Sequence, residues 1–270
     1  MFAFMEKKTL AIVGCGGLAS IVAQALDKGL LPDFKIIGTY SRTFNKAEVF
    51  SNHINNVDRG YTCTACHSLE ELLMLKPDYL VEASSPDSLK ELALPTLKNG
   101  TSIVTISIGG LADADFYEEV KKTASEYGTR VHIASGAVGG FDVLRTVSLM
   151  EESEVTFEST KSPRAMRNSP VYNPIIETQE YKSFEGTAVE AIALFPRQVN
   201  VSVAAALAST GPENVKVSIK TIPEFVGDNH RIEIKSQEIH AVLNIYSQTA
   251  KIAGWSIVNT LRNITSPIAF

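Results

Sequence analysis

The stretch TLAIVGCGGLASIVAQAL (9–26) leaves this chain the least freedom. TLAIVG (9–14) is a continuous apolar run, and a strand apolar on both faces belongs in a sheet covered on both sides. LASIVAQALDKG follows with helical spacing and stops at Gly29, so strand, tight turn and helix come in immediate succession. Gly14, Gly16 and Ala19 spell G-x-G-x-x-A across that turn, with Gly17 and Leu18 between them. The first glycine permits the tight turn, the second lets a pyrophosphate approach the backbone, and the small third residue lets helix and strand pack closely. Free N–H groups at the helix start would face the anion. Seated inside a strand-helix-strand unit, the pattern predicts a dinucleotide site rather than a merely structural glycine turn.

The strand signature recurs in KIIGTYS (35–41), YLVEAS (79–84), TSIVTIS (101–107) and TRVHIAS (129–135), with helical stretches SLEELLML, DSLKELALPTLKNG and ADFYEEVKKTASEYG between them. Such alternation predicts an α/β fold, a Rossmann-type doubly wound parallel sheet. Pro95 should bend or interrupt the helix it falls in. Past residue 140 or so the rhythm changes: SEVTFEST, VKVSIKTI, HRIEIKSQ and IHAVLNIY alternate in period two, while VEAIALF and VNVSVAAALAS read as short helices. The chain therefore divides into a dinucleotide-binding domain (1–136), an α+β domain on a mostly antiparallel sheet (137–243) and a C-terminal helical segment (244–270) returning to the first domain. In that segment Ile252, Trp255, Val258 and Leu261 are expected on one helical face.

Length and composition set the outer limits. A chain of 270 residues with 44% hydrophobic and 20% charged residues can bury a real core without staples. A net charge of -5 argues against nucleic acid as a partner. MFAFMEKKTLAIVG lacks the charge order of a signal peptide, and no apolar run reaches membrane-spanning length, so a cytoplasmic protein without a membrane partner is expected. Cys63, Cys66 and His67 form CTACH, which matches the c-type haem attachment pattern. No further ligand pair accompanies it, so no haem or metal is expected there.

The end of KIIGTYS carries Tyr40, Ser41 and Arg42, where an acidic residue would be needed to hold a ribose 2′-hydroxyl. Ser41 can donate to a 2′-phosphate and Arg42 can pair with it, which predicts that NADP is preferred and NAD accepted. Ligands of open parallel sheets bind beyond the carboxyl ends of the strands, so Ala83, Ser84, Ser85 and Pro86 should line the nicotinamide-ribose side. SGAVGGFDVLR (135–145) concentrates three glycines at the entry to the second domain and serves as hinge, ligand loop or both.

SGAVGGFDVL, FEGTAVEAIALFPRQVNVSVAAALA (184–208) and GDNHRIEI (227–234) together resemble the L-aspartate dehydrogenase family over nearly the whole chain. The resemblance implies NAD(P)-dependent oxidation of L-aspartate to iminoaspartate, which feeds nicotinamide cofactor synthesis or hydrolyses to oxaloacetate and ammonia. It also implies that Ala137 and Asn200 contact the cofactor and that His230 is catalytic. The alternatives are a related dehydrogenase of another amino or oxo acid, and a nonenzymatic NADP-binding protein. The chain departs from the family where Ile222-Pro223 replaces Asp-Pro, where Asp228 replaces an asparagine, and where Ser247 and Gln248 in IYSQTA replace the proline and lysine of ENPKTS. An imidazole suits the proton transfers that amine oxidation requires, and Asp228 would orient the ring or raise its pKa. Ser135, Gly136, Lys161, Arg197 and Asp228 are the expected substrate contacts, with Arg164 a further candidate cation for the substrate carboxylates. A homo-oligomer, dimer or tetramer, is expected from a sheet with one open face.

Overall fold

The computed structural model describes residues 6–195 and 199–270, which form two compact units. The first gathers the chain up to Gly110, Ala114–Ala134 and Ala253–Phe270; the second holds Leu111–Asp113 and Ser135–Ile252.

The first unit carries the expected doubly wound sheet. Strands β1 (Lys8–Val13), β2 (Phe34–Tyr40), β3 (Thr64–Cys66), β4 (Tyr79–Glu82), β5 (Ser102–Thr105) and β6 (Val131–Ile133) are all parallel, in the order β3-β2-β1-β4-β5-β6. The chain steps outward from β1 to β3 and restarts beside β1 at β4, so the strand order reverses between β1 and β4. Helices α1 (Gly17–Asp27), α2 (Phe44–Asn55), α3 (Leu69–Met74), α4 (Pro86–Lys98) and α5 (Ala114–Glu126) connect the strands. Leu10, Ile12, Val22, Ile36, Val81 and Val104 meet in one buried cluster, which accounts for the unbroken apolar runs.

Strand β3 and helix α2 escaped the sequence reading. Strand β3 has only three residues, too few to display a period, and it contains Cys66 of CTACH. Pro95 does not interrupt α4, which runs on to Lys98. The proline forfeits only its own bond to the Glu91 carbonyl, and the turns on either side persist.

The second unit is a sheet in the order β11-β10-β7-β9-β8, built from β7 (Glu154–Lys161), β8 (Tyr181–Thr187), β9 (Lys216–Thr221), β10 (Asp228–Lys235) and β11 (His240–Ser247). Strands β7 and β9 pair in parallel and the remaining neighbours are antiparallel. Helices α6 (Phe141–Met150), α7 (Pro163–Met166), α8 (Ala188–Leu194) and α9 (Asn200–Leu207) complete it, and Val155, Phe157, Val217, Ile219, Ile232 and Ile234 fill its core. Strand β11 runs to Ser247, so an end of this domain at residue 243 falls inside a strand and is corrected.

Helix α10 (Lys251–Thr265) clusters with the first unit from Ala253 onward, and its buried face differs from the expected one. Gly254, Ile257, Val258 and Leu261 are buried, whereas Ile252 is exposed and Trp255 only half-buried. A strict spacing of three falls about 60° short of a full turn at each step, so it drifts around the helix and cannot hold one face.

Candidate active site

In the first unit the glycine turn closes against β4. Gly14 has φ +89°, and a Cβ there would lie 2.7 Å from the Ala83 carbonyl carbon and 2.8 Å from Ser84 Cβ. Both reasons exclude a side chain. The turn is pinned by hydrogen bonds from Gly14 N to Tyr40 O (3.0 Å) and from Ala83 N to Val13 O (2.9 Å). A Cβ at Gly16 or Gly17 would meet nothing within 4 Å, so the backbone there faces open space. No side chain caps α1 at Gly16 and no acidic residue stands in its first turn. Open backbone and uncapped N–H groups fit the phosphates of a dinucleotide. Ala19 is fully buried and Leu18 packs against the core behind the turn.

Ser41 is half-buried and Arg42 exposed just beyond β2. Lys46, on α2, lines a cavity of about 510 Å³ together with Gly16 and Gly17, a cation near the turn that sequence reasoning missed. Beyond β4, Ser85 caps α4 by accepting from Ser88 N (3.2 Å), and Pro86 is buried at the helix start.

The second unit brings His230, Lys161 and Asp228 together. Strand β10 pairs His230 directly with Ser159 of β7, and the Ser159 hydroxyl and His230 Nδ1 share a hydrogen bond of 3.2 Å. Lys161, also buried, donates to Asp228 Oδ1 at 3.0 Å. His230 is 3% exposed, and its ring lies 5.5 Å from that of Phe157. Among the described residues its Nε2 has no hydrogen-bond partner. Burial, reinforced by the Lys161 charge, pushes the imidazole down to about 4, against a smaller upward pull from Asp228.

Asp228 does pull the imidazole's pKa upward, as expected, but it does not orient the ring: it holds Lys161, the imidazole's hydrogen bond is with Ser159, and the net shift of His230 is downward. Ser159 was legible in principle. Val155, Phe157, Ser159 and Lys161 alternate onto the inward face of β7, where two polar residues in succession are out of place unless they act on something.

Ser135, Gly136 and Ala137 form a turn, closed by Val138 N donating to Ser135 O (3.4 Å) with Gly136 at φ +68°. Asn200 opens α9. Arg164 is exposed on α7, away from the short-range contacts of His230. Arg197 lies outside the described residues.

Comparison with known proteins follows the two units. Residues 14–134 match the NAD-binding domain of homoserine dehydrogenase, and residues 142–264 match the C-terminal domain of aspartate dehydrogenase. L-aspartate dehydrogenase of Methanococcus maripaludis is 30% identical over 271 aligned residues, covering 96% of this chain and 97% of that protein. This chain belongs to the L-aspartate dehydrogenase family. The crystal structure of aspartate dehydrogenase from Thermotoga maritima superposes with a TM-score of 0.74 at 28% identity, covering 98% of this chain and all of that one. The same fold extends to the WlbA dehydrogenase of Chromobacterium violaceum, solved with NADH and UDP-GlcNAcA, at a TM-score of 0.59 and 13% identity, covering 99% of this chain and 89% of that one. As a member of the aspartate dehydrogenase family the chain is an NAD(P)-dependent amino-acid dehydrogenase. No helix among the described residues is long and apolar enough to cross a membrane.

Proposed function

We propose that this chain oxidises L-aspartate at Cα with NAD(P)⁺, yielding iminoaspartate, which water converts to oxaloacetate and ammonia. The observation that carries the reading is His230, buried and neutral beside Lys161 and Asp228. The bound dinucleotide supplies the acceptor for the two-electron hydride that leaves Cα. The substrate nitrogen must first lose a proton, and His230 takes it at the free Nε2. An imidazole lowered to about 4 is unprotonated at neutral pH, and a dicarboxylate bound nearby would raise its proton affinity toward the useful range. Lys161 offers a buried cation to one carboxylate, and Arg197 is the candidate partner of the other. Asp228 holds Lys161, and its carboxylate would attract the substrate ammonium. Ser135 and Gly136 line the substrate, while Ala137 and Asn200 contact the nicotinamide side. Once the imine has formed and His230 has released that proton to solvent, the neutral imidazole activates the water that adds to it.

NADP is the preferred cofactor in this reading, with Ser41 and Arg42 on the 2′-phosphate, and NAD is also used. Ala83, Ser84, Ser85 and Pro86 serve the nicotinamide-ribose side. A cytoplasmic homo-oligomer, dimer or tetramer, completes the proposal; it is supported by β11, a sheet-edge strand with Val242 and Tyr246 exposed. The test is aspartate-dependent NADP⁺ reduction followed by absorbance. His230→Ala should lower kcat by roughly a hundredfold or more while leaving NADPH affinity intact, in line with the usual contribution of general acid-base catalysis. Equal turnover in that variant removes His230 from the mechanism.

A further inference from the structure

Glu82 ends β4 and is completely buried. Four groups donate to it: Ser84 N (2.8 Å), Ser85 N (3.1 Å) and Ser107 Oγ (3.1 Å) to Oε1, and Thr105 Oγ1 (2.8 Å) to Oε2. The carboxylate thereby ties the segment after β4 to the end of β5, at the carboxyl edge of the sheet. Among the described residues no lysine, arginine or histidine pairs with it. An unpaired buried anion is costly, and folded proteins retain one only where something compensates it. In a doubly wound sheet the β4-β5 half receives the second nucleotide of a dinucleotide. Here that is the nicotinamide, whose ring is cationic when oxidised and neutral when reduced.

We propose that Glu82 is a positioning residue whose buried negative charge makes the protein favour oxidised over reduced cofactor. This rests on the reading of the first unit as the cofactor-binding body. The two hydroxyls and two amides hold the carboxylate in place at the carboxyl edge of the sheet, where a bound cationic ring would supply a counter-charge. Burial outweighs the donors and leaves the Glu82 carboxyl raised, while the four donors, two of them backbone amides that can only donate, favour its ionised form. The same charge would oppose neutralisation of the ring, so Glu82 shifts the equilibrium between the bound oxidised and bound reduced cofactor.

The test is calorimetric titration of the whole protein with NADP⁺ and with NADPH, in the wild type and in Glu82→Gln, with circular dichroism to check folding. Glu82→Gln should weaken NADP⁺ relative to NADPH by roughly three- to tenfold, the order of effect of one unit charge acting through a partly screened medium. Ser107→Ala removes one of the four donors, favours the protonated carboxyl and should move the ratio in the same direction by a smaller amount. Should Glu82→Gln fail to fold, Thr105→Val, which strips the donor on Oε2 and favours the protonated carboxyl, should move the ratio in the same direction. Equal weakening of both cofactor forms, or an unchanged ratio in the folded variant, overturns the proposal. Failure of the wild type to bind either cofactor form would instead overturn the reading on which it rests.

Discussion

His230 occupies an inward position on β10 where an aliphatic residue would pack with Ile232 and Ile234, so its burial itself forces the proton off. The unfolded chain protonates this ring near 6.5 and the fold only near 4. Between those values the unfolded state binds the extra proton, so stability falls as pH drops from about 6.5 to about 4 and this residue adds no further loss below that. The urea midpoint of the wild type should decline across that window, and His230→Gln should flatten the decline. An identical slope in the variant would show that other groups govern acid sensitivity. Arg42 calls for a different measurement. Its side chain is exposed, and Arg42→Ala should weaken NADPH by about tenfold, the worth of a charge-assisted hydrogen bond, with little change for NADH. Raising the salt concentration should shrink that difference, since exposed charges are screened. Equal effects on both dinucleotides would remove Arg42 from the 2′-phosphate site.

The glycine-rich entry to the second unit shows how one element can contain residues of unequal weight. Gly140 precedes α6 with φ +72°, and a Cβ there would run into the Leu243 side chain. Gly139 has a nearest neighbour at 4.0 Å, at ordinary contact distance. Gly140→Ala should therefore cost about 1–3 kcal/mol, the penalty of a left-handed backbone at a residue with a Cβ, while Gly139→Ala should be near neutral. Urea denaturation of both variants checks this, and equal midpoints would mean the loop relaxes. Three glycines in five residues marked this loop, yet the sequence did not say which of them was indispensable. Strand β8 escaped for a related reason. It lies at a sheet edge with Tyr181 and Lys182 exposed, and a register shift between Lys182 and Phe184 breaks the period-two pattern that would announce it.

The first unit is discontinuous in sequence, since α10 returns to it after the second unit is complete. Ile257, Val258 and Leu261 belong to its core, and Gly254 lies where a Cβ would strike Ile21. Burying three aliphatic side chains is worth about 5–9 kcal/mol, comparable with the entire stability of a typical domain. A chain ending at residue 249 should lose both NADPH binding and the cooperative unfolding of the first unit; retention of NADPH affinity would show that α10 is dispensable. By itself the sequence determined the doubly wound sheet, the glycine turn and the family, because unbroken apolar runs, helical spacing and tight turns are local and are written in neighbouring residues. Only the tertiary structure decided that Ser159 faces His230, that Lys161 takes Asp228 from the imidazole, that Glu82 gathers four donors and which side of α10 is buried. The pairings across β7 and β10, and those of Glu82 with Thr105 and Ser107, join residues far apart in the chain, and strand register sets them, as one residue of slip would turn each side chain to the opposite face.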